Sequence, residues 1–300
     1  MNLWKFSRHA LALAFCAAFA LPASASVEPI SAEHCALMQS RNVINDDNPI
    51  GCDRLRKVGF SFHHFDGSNQ LGSVVVMDAF ADHVQRIFSE LHRRNFPLQQ
   101  AVGMEVFHGD DQAAMRANNT SAFIGRVITG GSRHSLHAYG AAIDLNPLQN
   151  PFLSITAQGT ATIDPLMAAR TTVNRLVFRP DKPVPRGMAE EVIDLFADNG
   201  FIHWGGYWNF PIDYQHFEVA PRVFLERLAS LDPAQARREF HGYVERYQGC
   251  IAHSGETEPA ARRAGCVSEI LAYYSKKPWL DIQPLSTLGL ETREHVQPIS

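Results

Sequence analysis

The stretch Ser135-Leu136-His137-Ala138-Tyr139-Gly140-Ala141-Ala142-Ile143-Asp144 sets an imidazole and a carboxylate seven residues apart with small residues between them. A second island runs from Trp204-Gly205-Gly206-Tyr207-Trp208 to Asp213-Tyr214-Gln215-His216-Phe217-Glu218. Catalytic zinc takes three protein ligands from His and carboxylate and keeps a fourth position for water. His137, Asp144 and His216 supply such a set for one Zn2+ ion. Gly140, Ala141 and Ala142 would let the backbone pass close to the metal. Asp213, three residues before His216, suits a general base acting on water whose pKa the metal lowers toward about 7.

Plainer readings stand beside these. The chain has 14 histidines, and His34, His63, His64, His92, His241 and His253 read as ordinary imidazoles. His134 is the nearest rival ligand, but only His137 has the seven-residue step to Asp144. Asp144 could instead cap a turn at Asn146-Pro147, which leaves the small residues before it unexplained. His108 with Asp110 and Asp111 reads as a solvated loop lining a cleft rather than a second metal site. His203 suits substrate contact and packing equally. Trp204 and Trp208 could floor a pocket, although core packing is the default for large aromatics.

Outward from the islands, Phe80, Val84, Ile87, Phe88 and Leu91 recur at helical spacing, which predicts a helix within Met77 to Asn95 capped by Asp78. Strands are expected at Leu98 to Phe107, Thr120 to Thr129 and His216 to Val219. Residues 148–185 read as an irregular excursion around the site. A helix is expected over Met188 to Asn199, ended by Gly200, with further helices at 221–230 and 233–247. Helices and short strands in mixed order imply an α+β fold.

The ends set the compartment. Lys5 and Arg8 precede the uncharged run Ala10 to Leu21, and Ala23-Ser24-Ala25 supplies small residues for leader cleavage after Ala25. That run is shorter than the about 20 apolar residues that a membrane span needs. The protein is therefore expected to be exported, periplasmic or secreted, with no later segment able to span a bilayer. A net charge of −4 with no basic stripe argues against nucleic acid as a partner. Cys35, Cys52, Cys250 and Cys266 fall into two local pairs, and Cys35–Cys52 with Cys250–Cys266 is the simplest disulfide pattern in an oxidising compartment. The spacing also allows two other connectivities. A zinc knuckle is disfavoured because no tight C-x-x-C occurs.

The two islands resemble the zinc D-alanyl-D-alanine carboxypeptidase family, peptidase family M15, which carries S-x-H-x-x-G-x-A-x-D and later an acid three residues before a His. The resemblance is closest to a branch with W-G-G-x-W, D-x-x-H-F-E and an upstream N-N-T-S-A-F, here Asn118 to Phe123. It implies a small antiparallel sheet flanked by helices, of the DD-peptidase and hedgehog type. It covers about residues 75–230, expected as a zinc peptidase domain, which follows the leader (1–25) and a lead-in (26–74) and precedes a helical extension (231–300). It also implies His137, Asp144 and His216 as ligands, Asp213 as base, and Arg126 as the arginine that grips substrate or the transition state. Ser135 and Trp204 become candidate substrate contacts, and Glu218 a partner that fixes a ligand imidazole. Tyr207 departs from the family, whose close members carry Asp there, which questions a polar contact in that loop. The implied substrate is the stem peptide of peptidoglycan, cut at D-Ala-D-Ala. An L,D- or D,D-endopeptidase and a non-catalytic zinc module binding wall peptide are the alternatives.

Overall fold

The computed structural model describes residues 26–128, 131–156 and 158–276. The segment read as a lead-in is built into a sheet. It opens with β1 (Ser26–Pro29) and α1 (Ala32–Ser40), then enters the long antiparallel hairpin of β2 (Leu55–His64) and β3 (Asn69–Met77). β1 and the short β4 (Pro97–Leu98) share the other edge of β2, β1 antiparallel and β4 parallel. Side chains alternate faces along a strand, and Val58, Phe60 and Phe62 point inward from β2. On that face lies α2 (Ala81–Arg93), whose Val84, Ile87, Phe88 and Leu91 are buried, with Phe88 stacked on Phe60 at 3.8 Å.

Asp78 does not cap this helix. It is almost wholly buried, and its two carboxylate oxygens accept from Arg54 Nε at 2.7 Å and Nη2 at 3.1 Å. A buried charge needs such a partner far more than a helix end needs a cap. The same guanidinium donates to the carbonyls of Ala229 and Leu231, tying the sheet to the end of a later helix.

The expected strand over Leu98 to Phe107 shrinks to β4, followed by a 3-10 turn at Met104–Phe107. The Asn119 side-chain amide takes both the N–H and the C=O of Val102, so no neighbouring strand is needed there. Of the strand expected over Thr120 to Thr129, the described part to Ile128 forms no named strand and is held by isolated bridges, Ser121 to Asp144 and Val127 to His134. Between them sits the short α3 (Asp111–Arg116) before this segment.

Two small antiparallel sheets follow. In one, β10 (His216–Glu218) lies between β5 (Ala142–Asp144) and β8 (His203–Trp204). In the other, β6 (Phe152–Ile155) lies between β7 (Ala161–Asp164) and β9 (Ile212–Asp213). The excursion at 148–185 thus contains a hairpin. Arg175 fastens its return by donating to Asn150 Oδ1 at 2.9 Å and pairing with Glu190. The expected helix over Met188 to Asn199 is a 3-10 turn at Ala189–Glu191 and then α4 (Ile193–Asp198).

The chain closes with α5 (Arg222–Ser230), α6 (Pro233–His253) and α7 (Pro259–Tyr274). One buried cluster runs from Met38 to Tyr274, so all these layers share a core. Disulfides Cys35–Cys52 and Cys250–Cys266 form as paired in sequence. The arrangement is α+β. Among the described residues no helix is long and apolar enough to cross a membrane. The expected leader, residues 1–25, lies outside the described residues.

His83, buried on α2 with its ring edge-on to Phe240, gives the core a pH dependence. Burial, and then the Arg86 charge, depress its pKa from 6.5 to about 4. Unfolded chains therefore bind the extra proton first, and stability falls as pH falls from about 6.5 to about 4. Replacing His83 with Gln should flatten this fall by about 1–2 kcal/mol, a figure discounted for the ring's partial solvent contact. Urea unfolding of both proteins at pH 7 and pH 4.5 measures the difference.

Candidate metal centre

Register builds the centre. In the antiparallel pair β5–β10, His216 stands directly opposite Asp144, Phe217 opposite Ile143, and Glu218 opposite Ala142. Alternation then sorts the side chains. Asp144, His216 and Glu218 share one face, while Ile143 and Phe217 enter the core on the other, where Phe217 stacks on Phe196 at 4.0 Å. On the far edge β8 sets His203 opposite Glu218 and Trp204 opposite Phe217.

His137 arrives from a 3-10 turn, Leu136–Tyr139, lying just before β5. The Ser135 hydroxyl caps that turn by accepting from His137 N–H at 3.3 Å. Gly140 ends it at φ +60°, and its carbonyl accepts from Met77 N–H at 3.2 Å. A Cβ at Gly140 would lie 2.5 Å from Met77 N. The small residue here thus lets the loop approach the end of β3, a different close contact from the metal approach that the sequence suggests.

The three side chains converge. His137 Nε2 lies 3.2 Å from His216 Nδ1 and 3.2 Å from Asp144 Oδ2, and His216 Nδ1 lies 3.0 Å from Asp144 Oδ1. Tetrahedral zinc with bonds of about 2.0–2.1 Å needs ligand atoms about 3.3 Å apart. Among the described residues, this trio is the group of His, Cys and carboxylate side chains able to hold a metal ion, and all three are buried. Proton positions fit as well. The Ala122 carbonyl only accepts, so His137 Nδ1, 2.5 Å away, carries the hydrogen and Nε2 is free to ligate. The Glu218 carboxylate accepts from His216 Nε2–H at 2.8 Å, so Nδ1 is the nitrogen that faces Asp144 and His137.

Electrostatics follow the geometry. Burial pushes the Asp144 carboxyl up, but His137 and His216 outweigh it and hold it well below the usual range. Burial opposes the charged Glu218, yet hydrogen bonds from His203 and His216 bring its carboxyl down to about 2. His216 is disfavoured as a cation by burial, and its bonds to Asp144 and Glu218 more than reverse this, raising it well above the usual value.

Asp213 differs from these carboxylates. It sits on β9 and packs against Gly205, where a Cβ would come within 2.4 Å of the Asp213 carbonyl. Its Oδ1 is buried with no hydrogen-bond partner. Burial and the Asp144 charge lift its carboxyl to about 7. Asp213 thus lies within electrostatic reach of Asp144, His216 and His137.

The remaining residues take varied places. The Arg126 guanidinium pairs with Asp111 at 2.9 Å, its Nε is buried without a partner, and its carbonyl accepts from Ser135 N–H. Asp110 caps α3, so the acidic loop serves a helix and an arginine. His134 lies in the bridge to Val127, and its carbonyl accepts from Arg222. Trp204 is buried, its indole N–H donating to Tyr214 C=O at 2.8 Å. The half-buried Trp208 instead flanks His216, with ring centroids 5.4 Å apart. Tyr207 keeps a polar contact in its loop, accepting from Arg263 of α7 at 2.8 Å while Arg263 pairs with Asp194. The contacts of His203 and Trp208 were not legible in the sequence, because only strand pairing sets His203 across from Glu218.

The buried His137–Asp144–His216 group could hold a metal ion, and the enclosed Asp213 carboxyl lies within electrostatic reach of it. Residues 129–219, which hold both islands, match the family model described as D-alanyl-D-alanine carboxypeptidase, and this supports membership of peptidase family M15. No curated protein and no solved structure matches the chain. The match and the buried trio together support a zinc peptidase.

Gly140→Ala should destabilise the protein by at least about 2 kcal/mol, since a left-handed conformation and a backbone clash are both imposed on the ligand turn. Denaturant titration checks this, and an unchanged midpoint would show that the turn does not depend on β3.

Proposed function

We propose that the protein is an exported zinc peptidase acting on peptidoglycan stem peptides as a D-alanyl-D-alanine carboxypeptidase. The observation that carries this reading is the buried His137–Asp144–His216 trio with the enclosed Asp213 carboxyl, one oxygen of which has no hydrogen-bond partner, inside the segment that matches the family. Export is supported by the leader-like N-terminus and agrees with two disulfides.

His137, Asp144 and His216 would hold a zinc ion, which would supply Lewis acidity and a lowered pKa for water at the site. Asp213 takes a proton from the attacking water as its oxygen bonds to the scissile carbonyl carbon. The same carboxyl returns that proton to the amine as the C–N bond breaks. Burial suits it to both duties, because a carboxyl lifted toward neutrality both accepts and releases a proton near neutral pH. Arg126, steadied by Asp111, is assigned to the terminal carboxylate or the developing oxyanion. Ser135 holds the ligand turn against substrate, and Trp204 backs the pocket from within the core.

Two experiments test the reading. The purified protein, incubated with pentapeptide muropeptides, should release one terminal alanine by mass. A chelator should abolish this and added zinc should restore it, whereas turnover persisting in chelator removes the metal from the mechanism. Release of any larger fragment reassigns the bond. Asp213→Ala should keep its zinc and lose about 10²–10⁴-fold in kcat. A fully active variant would falsify the base assignment.

A further inference from the structure

We infer that His203 is a positioning residue of the metal centre, acting through Glu218 to hold His216 as an Nδ1 ligand, with Trp208 fixing the orientation of His203 itself. This rests on the zinc-peptidase reading. The observation is a continuous chain of contacts across one face of the β5–β10–β8 sheet. Trp208 Nε1 reaches His203 Nε2 at 3.3 Å, His203 Nδ1 reaches Glu218 Oε1 at 2.7 Å, and Glu218 Oε2 reaches His216 Nε2 at 2.8 Å.

The direction of every bond follows from its outer end. An indole N–H can only donate. His203 Nε2 must therefore accept, which puts the ring hydrogen on Nδ1. That hydrogen goes to Glu218 Oε1. The carboxylate then has Oε2 for His216 Nε2–H, and His216 Nδ1 is turned toward His137 and Asp144. A group that never titrates at the sheet edge thus sets the tautomer of a ligand on the central strand.

The register makes this more than a chance of proximity. His203 stands opposite Glu218, and His216 lies two residues from Glu218 on the same face. The carboxylate is buried and holds an imidazole on each side. With His203 gone, Oε1 loses its donor and the carboxylate is free to turn, so the His216 ring loses its brace. Partners at this remove from a metal typically change its affinity by about 10–100-fold. His203 is itself only partly buried and lies at a sheet edge, so its removal spares the core.

The test measures zinc affinity by chelator competition, and thermal stability of the zinc-stripped proteins, for the exported protein and three variants. His203→Ala should weaken zinc binding about 10–100-fold with little change in thermal midpoint. His203→Asn, whose amide N–H occupies the place of Nδ1–H, should recover most of that loss. Trp208→Phe keeps a ring but has no N–H donor, and should weaken binding by about three- to tenfold, a smaller part of the same effect. Affinity unchanged in His203→Ala overturns the inference, and so does an Asn variant as weak as the Ala variant. If His203→Ala does not fold, Trp208→Phe decides, and wild-type affinity there overturns it. A wild-type protein that takes up no zinc removes the zinc reading itself, a result separable from all of these.

Discussion

The pairing of β10 with β5 is the constraint on which the centre depends. It sets His216 opposite Asp144 across 72 residues of sequence. Because side chains alternate along a strand, a slip of one residue would turn His216 into the core and Phe217 toward the metal. Phe217 prevents that slip. It is fully buried and stacked on Phe196, so apolar packing on one face of the sheet fixes the metal ligands on the other. The hydrophobic core and the polar site are two faces of the same strands.

The buried polar groups are arranged so that fixed groups orient mobile ones. The Ala122 carbonyl settles the tautomer of His137, and the Glu218 carboxylate that of His216. In both rings the other nitrogen is thereby turned toward Asp144. Asp144 and Glu218 are both flanked by imidazoles, which keeps them ionised despite burial. Asp213 has no such flank, and its carboxyl rises. Three enclosed carboxylates in one site thus acquire two chemistries from their neighbours alone.

Segments outside the matched stretch brace the chain around it. Val43 C=O accepts from Gly125 N–H at 2.7 Å, placing the Cys35–Cys52 loop against the chain that leads to Ala122. Arg54, from the turn just before β2, joins Asp78 and the carbonyls at the end of α5. At the other end, Arg263 of α7 holds Tyr207 next to Trp208. Tyr207 replaces the acid that the family resemblance leads one to expect, and the arginine that meets it comes from the helical extension. The contact is kept by partners that the motif does not contain.

Several features were legible from sequence because they are local. The apolar stripe from Phe80 to Leu91 gave α2, and the small spacing of each cysteine pair gave both disulfides. His137, Asp144 and His216 were legible as a trio because metal chemistry limits which residue types can serve. The strands at 98–107 and 120–129 were overread, since an apolar run shows extended character but not whether a neighbour or an Asn119 side chain will take its backbone groups. Asp78 was misplaced for a related reason: a cap is a local reading, whereas its true partner Arg54 lies in the turn before β2. Sequence by itself determined the residue types of the centre and the helices around it. Tertiary structure alone decided the line from His216 through Glu218 and His203 to Trp208, the isolation of Asp213, and the use of Gly140 against β3. Those depend on strand register and on which side chains are sealed from water, and both arise only when distant segments pack together.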